Sequence, residues 1–172
     1  NIEFKKINSL FKKLTPVIVK KFEKYINLHV KIKNPINSFK YHSAYAVMKN
    51  GYVKSPHLDR RDHLIHMLFY PSSSPSKGGE MCLHELKNKN FLFDVFPSKQ
   101  SLRIKKKFKA YNNSCIIILN VPWAYHSVSV YKSLVNRKYL YMVYDFPITK
   151  PGSIPKNRKA GFNENNFWKN DV

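Results

Sequence analysis

The 172-residue chain predicts a mainly β fold led by a single helix. Two observations carry this. Short apolar runs recur from residue 37 to residue 144, each stopped by glycine, proline or an asparagine- or serine-rich stretch, which is the punctuation of strands. Only the N-terminal stretch keeps apolar residues at spacings of three and four, the period of a helix with one packed face.

In chain order, Ser9 is a candidate N-cap, and Leu10, Phe11, Leu14, Val17, Ile18, Phe22, Tyr25 and Ile26 fall on one helical face. Pro16 lies inside this pattern, so the helix is expected to begin at or just before it, after a shorter turn. Its apolar face would pack on the outside of the β domain as a support. Residues 37–53, NSFKYHSAYAVMKNGYV, read as two strands joined by a Lys49-Asn50-Gly51 turn and leading into a loop. The run from Asp62 to Tyr70, stopped by Pro71, reads as a buried strand. Ser72 to Gly79 is a loop by composition, and a strand restarts at Glu80–His84. Gly78-Gly79 is the loop before that strand rather than a phosphate cradle, because no Lys-Ser/Thr pair follows.

In SLRIKKKFKAYNN, Leu102, Ile104 and Phe108 alternate with lysines, which suggests an exposed strand face. Ser114–Asn120 is a second buried strand, turned by Val121-Pro122-Trp123 into Ala124–Val128. The last strand is Arg137–Tyr144. From Pro147 the composition shifts to proline, glycine, asparagine and lysine. Phe162, Phe167 and Trp168 favour docking of this tail back on the domain.

His57-Leu58-Asp59 is the motif that carries chemistry. In an extended strand, residues two apart share a face, so His57 and Asp59 can grip one metal ion while Leu58 points away. His126 must then come from a strand folded back beside them. Two imidazoles and one carboxylate hold one face of a ferrous ion and leave the other face open. His63, His66 and His84 read as packed or surface histidines, and His42 as a strand or loop residue with no role.

Four segments, PHLDRRDHLIHMLFYP, GGEMCLHE, NSCIIILNVPWAYHSV and NRKYLYMVYDF, taken in that order, resemble the 2-oxoglutarate and Fe(II)-dependent oxygenases, in particular their prolyl-hydroxylase-like branch. The likeness covers about residues 41 to 146. It implies a double-stranded β-helix, or jelly roll, whose mouth holds Fe(II) and the cosubstrate 2-oxoglutarate. His57, Asp59 and His126 match the iron ligands. The basic residue that holds the far carboxylate of 2-oxoglutarate falls at Arg137 or Lys138. Arg137 is favoured, because a guanidinium fork pairs bidentately with a carboxylate. Lys138 would serve if Leu140 and Met142, rather than Tyr139 and Tyr141, face the barrel interior, since a shift of one residue exchanges the faces. Tyr70, on a face with Leu68 and His66, is a further candidate for the same carboxylate.

The retained Asp59 implies hydroxylation or a related oxidation, because relatives that halogenate lack a carboxylate there. The implied reaction consumes dioxygen and releases succinate and carbon dioxide. The resemblance divides one domain into a helical support (1–36), a jelly-roll core (37–146) and a tail (147–172). It leaves the substrate open among a protein side chain, a small molecule, a glycan and a nucleobase.

Composition bounds the rest. A chain of this length can bury roughly two-thirds of its unfolded surface as one domain. It has no leader-like segment and no apolar stretch long enough to span a bilayer. Cys82 and Cys115 fall in expected core strands without zinc-site spacing, so reduced thiols and a cytoplasmic setting are expected. Against 10 Asp+Glu stand 31 Lys+Arg, a formal net charge of +21. Such an excess admits an anionic substrate, or a non-catalytic basic jelly-roll module that binds a polyanion such as nucleic acid. Mostly lysine scattered among asparagine and isoleucine is also what an AT-rich genome writes, so nucleic acid is not favoured. Arg60-Arg61, directly after Asp59, would lie on the rim of the site, whereas Lys105–Lys109 reads as surface. A cupin-like centre that ignores 2-oxoglutarate would carry a denser His-x-His grouping than this chain has. Nothing in the sequence fixes the oligomeric state.

Overall fold

Helix α1 spans Ile2–His29 and runs through Pro16. The expected start near Pro16 is thus corrected to Ile2, and Ser9 is a mid-helix residue rather than a cap. Proline cannot donate to the carbonyl four residues back. Here Thr15 Oγ1 donates to that carbonyl, Lys12 O, at 2.7 Å. The packed face is also narrower than the sequence pattern. Ile7, Phe11, Ile18 and Phe22 pack around the fully buried Val19, whereas Leu10, Leu14 and Val17 are exposed. The computed structural model describes residues 2–29, 40–59, 63–72, 76–88, 96–120 and 123–145, and within α1 it describes the side chains from Lys5 to Phe22. The expectations for Tyr25, Ile26, Arg60-Arg61, Val121-Pro122 and the tail from Pro147 lie outside these.

The strands are β1 (Lys40–Met48), β2 (Lys54–His57), β3 (His63–Tyr70), β4 (Met81–Leu86), β5 (Leu102–Phe108), β6 (Ser114–Leu119), β7 (His126–Val128) and β8 (Arg137–Asp145). They form two four-stranded sheets, β1-β8-β3-β6 and β2-β7-β4-β5, with every pair antiparallel. The chain crosses from one sheet to the other after β1, β2, β3, β5, β6 and β7. This double winding is the jelly roll that the sequence led us to expect. The Lys49-Asn50-Gly51 turn is present, with Gly51 at φ 82°, but it does not join hairpin partners. Residues 40–48 are one strand, and the chain leaves it for the opposite sheet, where the next strand already carries His57.

Strand parity divides the apolar residues between two packing layers. Inside, Leu68 and Tyr70 of β3 meet Met81 of β4, with Phe108, Ile116, Ile118, Tyr139 and Tyr141 around them. Outside the first sheet, Ile65, Met67, Leu140, Met142 and Tyr144 cluster with Val19. Tyr144 Oη donates to Phe11 O at 3.0 Å, Tyr41 Oη donates to Asn8 Oδ1 at 2.6 Å, and the Phe11 and Phe69 rings lie 5.3 Å apart. The helix therefore supports the sheet from outside, as its sequence pattern implied.

Three expectations need correction. β6 is a sheet edge, so its isoleucines are only half-buried and Ile117 is exposed. His42 is not idle, since its Nε2 lies 2.9 Å from Asp145 Oδ2. On the other oxygen of the same carboxylate, His63 Nδ1 stands at 2.6 Å, so Asp145 ties β1, β3 and β8 together. Cys82 is buried as expected but Cys115 only partly, and both are free thiols. Among the described residues no helix is long and apolar enough to cross a membrane.

Met67 is fully buried in the layer between the sheet and α1. Met67→Ala should lower unfolding stability by about 2–5 kcal/mol, measured as a shift of the urea midpoint at unchanged slope.

Candidate metal centre

β2 ends and β7 begins at the same level of the second sheet, because His57 and His126 are register partners. Their rings lie 4.4 Å apart. Asp59 follows two residues later and points its carboxylate at both: Oδ1 is 3.7 Å from His57 Nε2, and Oδ2 is 3.4 Å from His126 Nε2. One donor atom from each of the three lies within 4.8 Å of the others, and all three residues are buried.

The tautomers suit a cation. His57 Nδ1 faces Ser55 O at 2.8 Å and His126 Nδ1 faces Ala124 O at 2.9 Å. A carbonyl only accepts, so each Nδ1 carries a proton, and the neutral tautomer this bond selects presents its lone pair at Nε2. Both Nε2 atoms are buried with no hydrogen-bond partner, which a metal ion would supply. Burial, with help from His57 and His66, pushes His126 down to about 4 despite the nearby Asp59. It is therefore neutral near pH 7. Burial alone would raise the Asp59 carboxyl, but the His57 and His66 imidazoles and the His126 ring outweigh it and hold the group well below the usual carboxylate range. An ionised carboxylate beside two imidazole Nε2 atoms is the donor set of a divalent ion such as Fe(II).

His66, read from sequence as a packed or surface histidine, belongs to this centre. Its Nδ1 is 2.6 Å from Asp59 Oδ2, and only 2 % of the residue is exposed. The available signal was parity, since His66 shares the inner face of β3 with Leu68 and Tyr70. His84 is a packed histidine as expected, with Nε2 2.7 Å from Ser127 Oγ and a pKa lowered by burial and then by His57. His63 belongs to the Asp145 bridge.

At the start of β8, Arg137 is buried whereas Lys138 is exposed. The alternation that puts Tyr139 and Tyr141 in the inner cluster also turns Arg137 inward and Lys138 outward. Arg137 Nη1 donates to Gly79 O at 2.7 Å and Nη2 to Ser76 Oγ at 2.6 Å, while its buried Nε has no partner. The guanidinium lies 4.6 Å from the Tyr131 ring centroid and 6.0 Å from that of Tyr70. Burial raises the Tyr70 phenol to about 12 even against the Arg137 charge, so it remains a neutral donor. Gly79, at φ 67°, is required here: a Cβ would sit 2.6 Å from Tyr131 Cδ2 and 2.8 Å from Arg137 Nη1.

A cleft of about 830 Å³ runs from His126 between β6 and the β4–β5 pair, lined by Ile116, Ile118, Leu83, Phe108 and Trp123 with Glu85 and Lys105. Glu85 is paired with Arg103 and Lys105, so the cations of this wall share one carboxylate. The lysines of β5 are exposed, as the sequence implied.

No family model and no curated protein matches the chain. Among solved structures it is similar to a 2OG-Fe(II) oxygenase-family oxidoreductase from Burkholderia pseudomallei, at 16% identity and a TM-score of 0.43, over 73% of this chain and 47% of that one. It is also similar to a prolyl-4-hydroxylase from Pseudomonas putida, at 13% identity and a TM-score of 0.45, over 77% of this chain and 64% of that one. The chain thus spans less than two-thirds of the length of either. At this level of similarity the fold is read from the strand order itself.

Two outcomes are expected. His57→Ala, Asp59→Ala and His126→Ala should each weaken Mn(II) binding, measured by calorimetry, by more than the roughly 10–100-fold typical of losing an outer-sphere partner. Gly79→Ala should leave Mn(II) affinity within about threefold of wild type, because the strain falls on Arg137 and Tyr131. A parallel loss of metal binding would show that the two ends of the site are not separable.

Proposed function

We propose that this chain is a 2-oxoglutarate-dependent Fe(II) dioxygenase that hydroxylates its substrate and releases succinate and carbon dioxide. The observation that carries the reading is the pairing of bare, buried Nε2 atoms beside an ionised Asp59 with a buried Arg137 on the same inner surface. Fe(II) with 2-oxoglutarate supplies the activation of dioxygen and the oxidation of a C–H bond.

The remaining work falls to the protein. His57, His126 and Asp59 would hold the ion, and three protein donors would leave room on it for cosubstrate and dioxygen. Asp59 keeps a carboxylate in the ligand set, which supports hydroxylation. Of the five N–H donors of Arg137, one of Nη1 goes to Gly79 O and one of Nη2 to Ser76 Oγ, and Nη1 also faces Met48 Sδ at 3.9 Å. Nε, which has no partner, and the Tyr70 hydroxyl are available to the far carboxylate of 2-oxoglutarate. Along β3, His66 and Tyr70 are four residues apart, about 13 Å, so one strand spans the metal end and the arginine end. Leu68, Tyr139 and Tyr141 wall the space between them and exclude water. Lys138, facing outward, has no part in this reading.

The substrate would approach along the cleft that ends at His126. Its largely apolar walls suit an aliphatic or aromatic group better than a glycan, which needs many polar partners. An anionic substrate has less support here, because the cleft is largely apolar and the nearest cations, Arg103 and Lys105, are already paired with Glu85.

Anaerobic titration with Fe(II) and then 2-oxoglutarate should produce the weak visible charge-transfer band of a bidentate chelate. Arg137→Ala should raise the half-saturating 2-oxoglutarate concentration by about tenfold or more, consistent with loss of a charge-assisted pair. Lys138→Ala should leave it unchanged. Folded, metal-loaded protein that gives no band would discard the reading.

A further inference from the structure

Three histidines, not two, close on Asp59. His57 and His126 approach it with Nε2 at 3.7 and 3.4 Å, whereas His66 makes a hydrogen bond of 2.6 Å through Nδ1 to Oδ2. An ionised carboxylate only accepts, so the proton of this bond is on His66 Nδ1.

We propose that His66 is a positioning residue of the metal centre: its Nδ1–H engages Asp59 Oδ2 and leaves Oδ1, on the His57 side, as the single oxygen offered to the ion. This rests on the metal-site reading above. The geometry distinguishes His66 from a ligand. Among the described residues, the donor atoms that converge within 4.8 Å come from His57, Asp59 and His126. His66 reaches them through the carboxylate, with its ring edge-on to His126 at 5.8 Å and against Tyr141 at 4.4 Å.

The two ligand histidines are each fixed by a ring bond to a carbonyl two residues earlier in the chain. Asp59 has no such local anchor among the described residues, and it lies beyond the end of β2. Its carboxylate is held instead from the middle of β3, where His66 is paired with Ile118 on one side and Val143 on the other. A strand paired on both edges is the most rigid support available to the site. The bond also governs coordination number. A carboxylate with both oxygens unengaged can chelate the ion and fill a position that the reaction needs, whereas one tied at Oδ2 binds through Oδ1 alone.

The test compares wild type, His66→Leu and His66→Gln, with Mn(II) affinity measured by calorimetry and the visible spectrum of the Co(II) form recorded. Circular dichroism checks folding. His66→Leu should weaken Mn(II) binding by about 10–100-fold and change the Co(II) band pattern as the carboxylate turns. His66→Gln, whose side-chain N–H can reach the same oxygen, should recover most of both. Folded His66→Leu with wild-type affinity and spectrum would overturn the proposal while leaving the metal site standing. Losses in both variants as complete as in His126→Ala would overturn it too, by making His66 a ligand. Wild type that binds neither ion would overturn the metal reading itself and this inference with it. Should the leucine variant not fold, metal-free wild type labelled with 15N-histidine decides: a low-field His66 Nδ1–H proton is expected, and its absence overturns the proposal.

Discussion

Everything at the candidate centre depends on one register: His57 opposite His126 across the antiparallel β2–β7 pair. A slip of one residue would send one ring to the outer face and leave its partner alone. The register is pinned on both sides. β7 also pairs with β4, and the segments after β1 and β7 are bonded to each other, Gly51 N to Tyr131 O at 2.8 Å and Tyr131 N to Tyr52 O at 2.9 Å. β2 itself is short and irregular, and its pairing with β7 shifts between Lys54 and His57. That shift brings the imidazoles level while letting the chain leave the strand at Leu58, so that Asp59 can turn back toward them.

Holding a carboxylate under such burial is costly, and the surroundings of Asp59 show how the cost is offset. A buried ion without partners forfeits several kcal/mol. Asp59 has three imidazoles around it, one of them in a direct hydrogen bond. The rings are left with an imbalance in turn. His57, His66 and His126 each keep a buried Nε2 without a partner, and an unsatisfied buried polar atom costs about 1–3 kcal/mol. With Arg137 Nε, these are the orphaned side-chain atoms among the described residues. They fall at the two ends of one inner surface, where a cation would satisfy Nε2 of His57 and His126 and a carboxylate would satisfy Nε of Arg137. Strain concentrated in this way distinguishes a site from a core that is merely polar.

Much of this was legible in the sequence, for identifiable reasons. Period-two and period-3.6 patterns located the helix and most strands, and the His-x-Asp spacing with a distant histidine identified three residues that the fold brings together. What escaped was set by tertiary context. Pro16 reads as a helix boundary until Thr15 is seen to supply the missing donor. Residues 37–53 resemble a hairpin because local turn chemistry does not reveal that the chain is changing sheets. The apolarity of β6 signals burial but not an edge position. His66 reads as a bystander because nothing nearby in sequence names its partner, although its parity with Tyr70 places it on the inner wall.

Arg137 is buried and Lys138 exposed, although the two are adjacent in one strand. Both were open in sequence because adjacent residues of a strand face opposite ways and the direction of either face was unknown. Packing decides it through residues that have no chemistry. Leu140, Met142 and Tyr144 cluster with the α1 side chains, and Tyr144 reaches the Phe11 carbonyl. That commits the even-numbered face of β8 to the helix, so the odd-numbered face, with Arg137, Tyr139 and Tyr141, must line the interior. The supporting helix, packed on the opposite face of β8, thereby fixes which cation is enclosed. It also explains why the enclosed one is an arginine. Gly79 O and Ser76 Oγ take one N–H each and the Tyr131 ring takes the guanidinium face, while a lysine ammonium would offer no planar fork to divide among them.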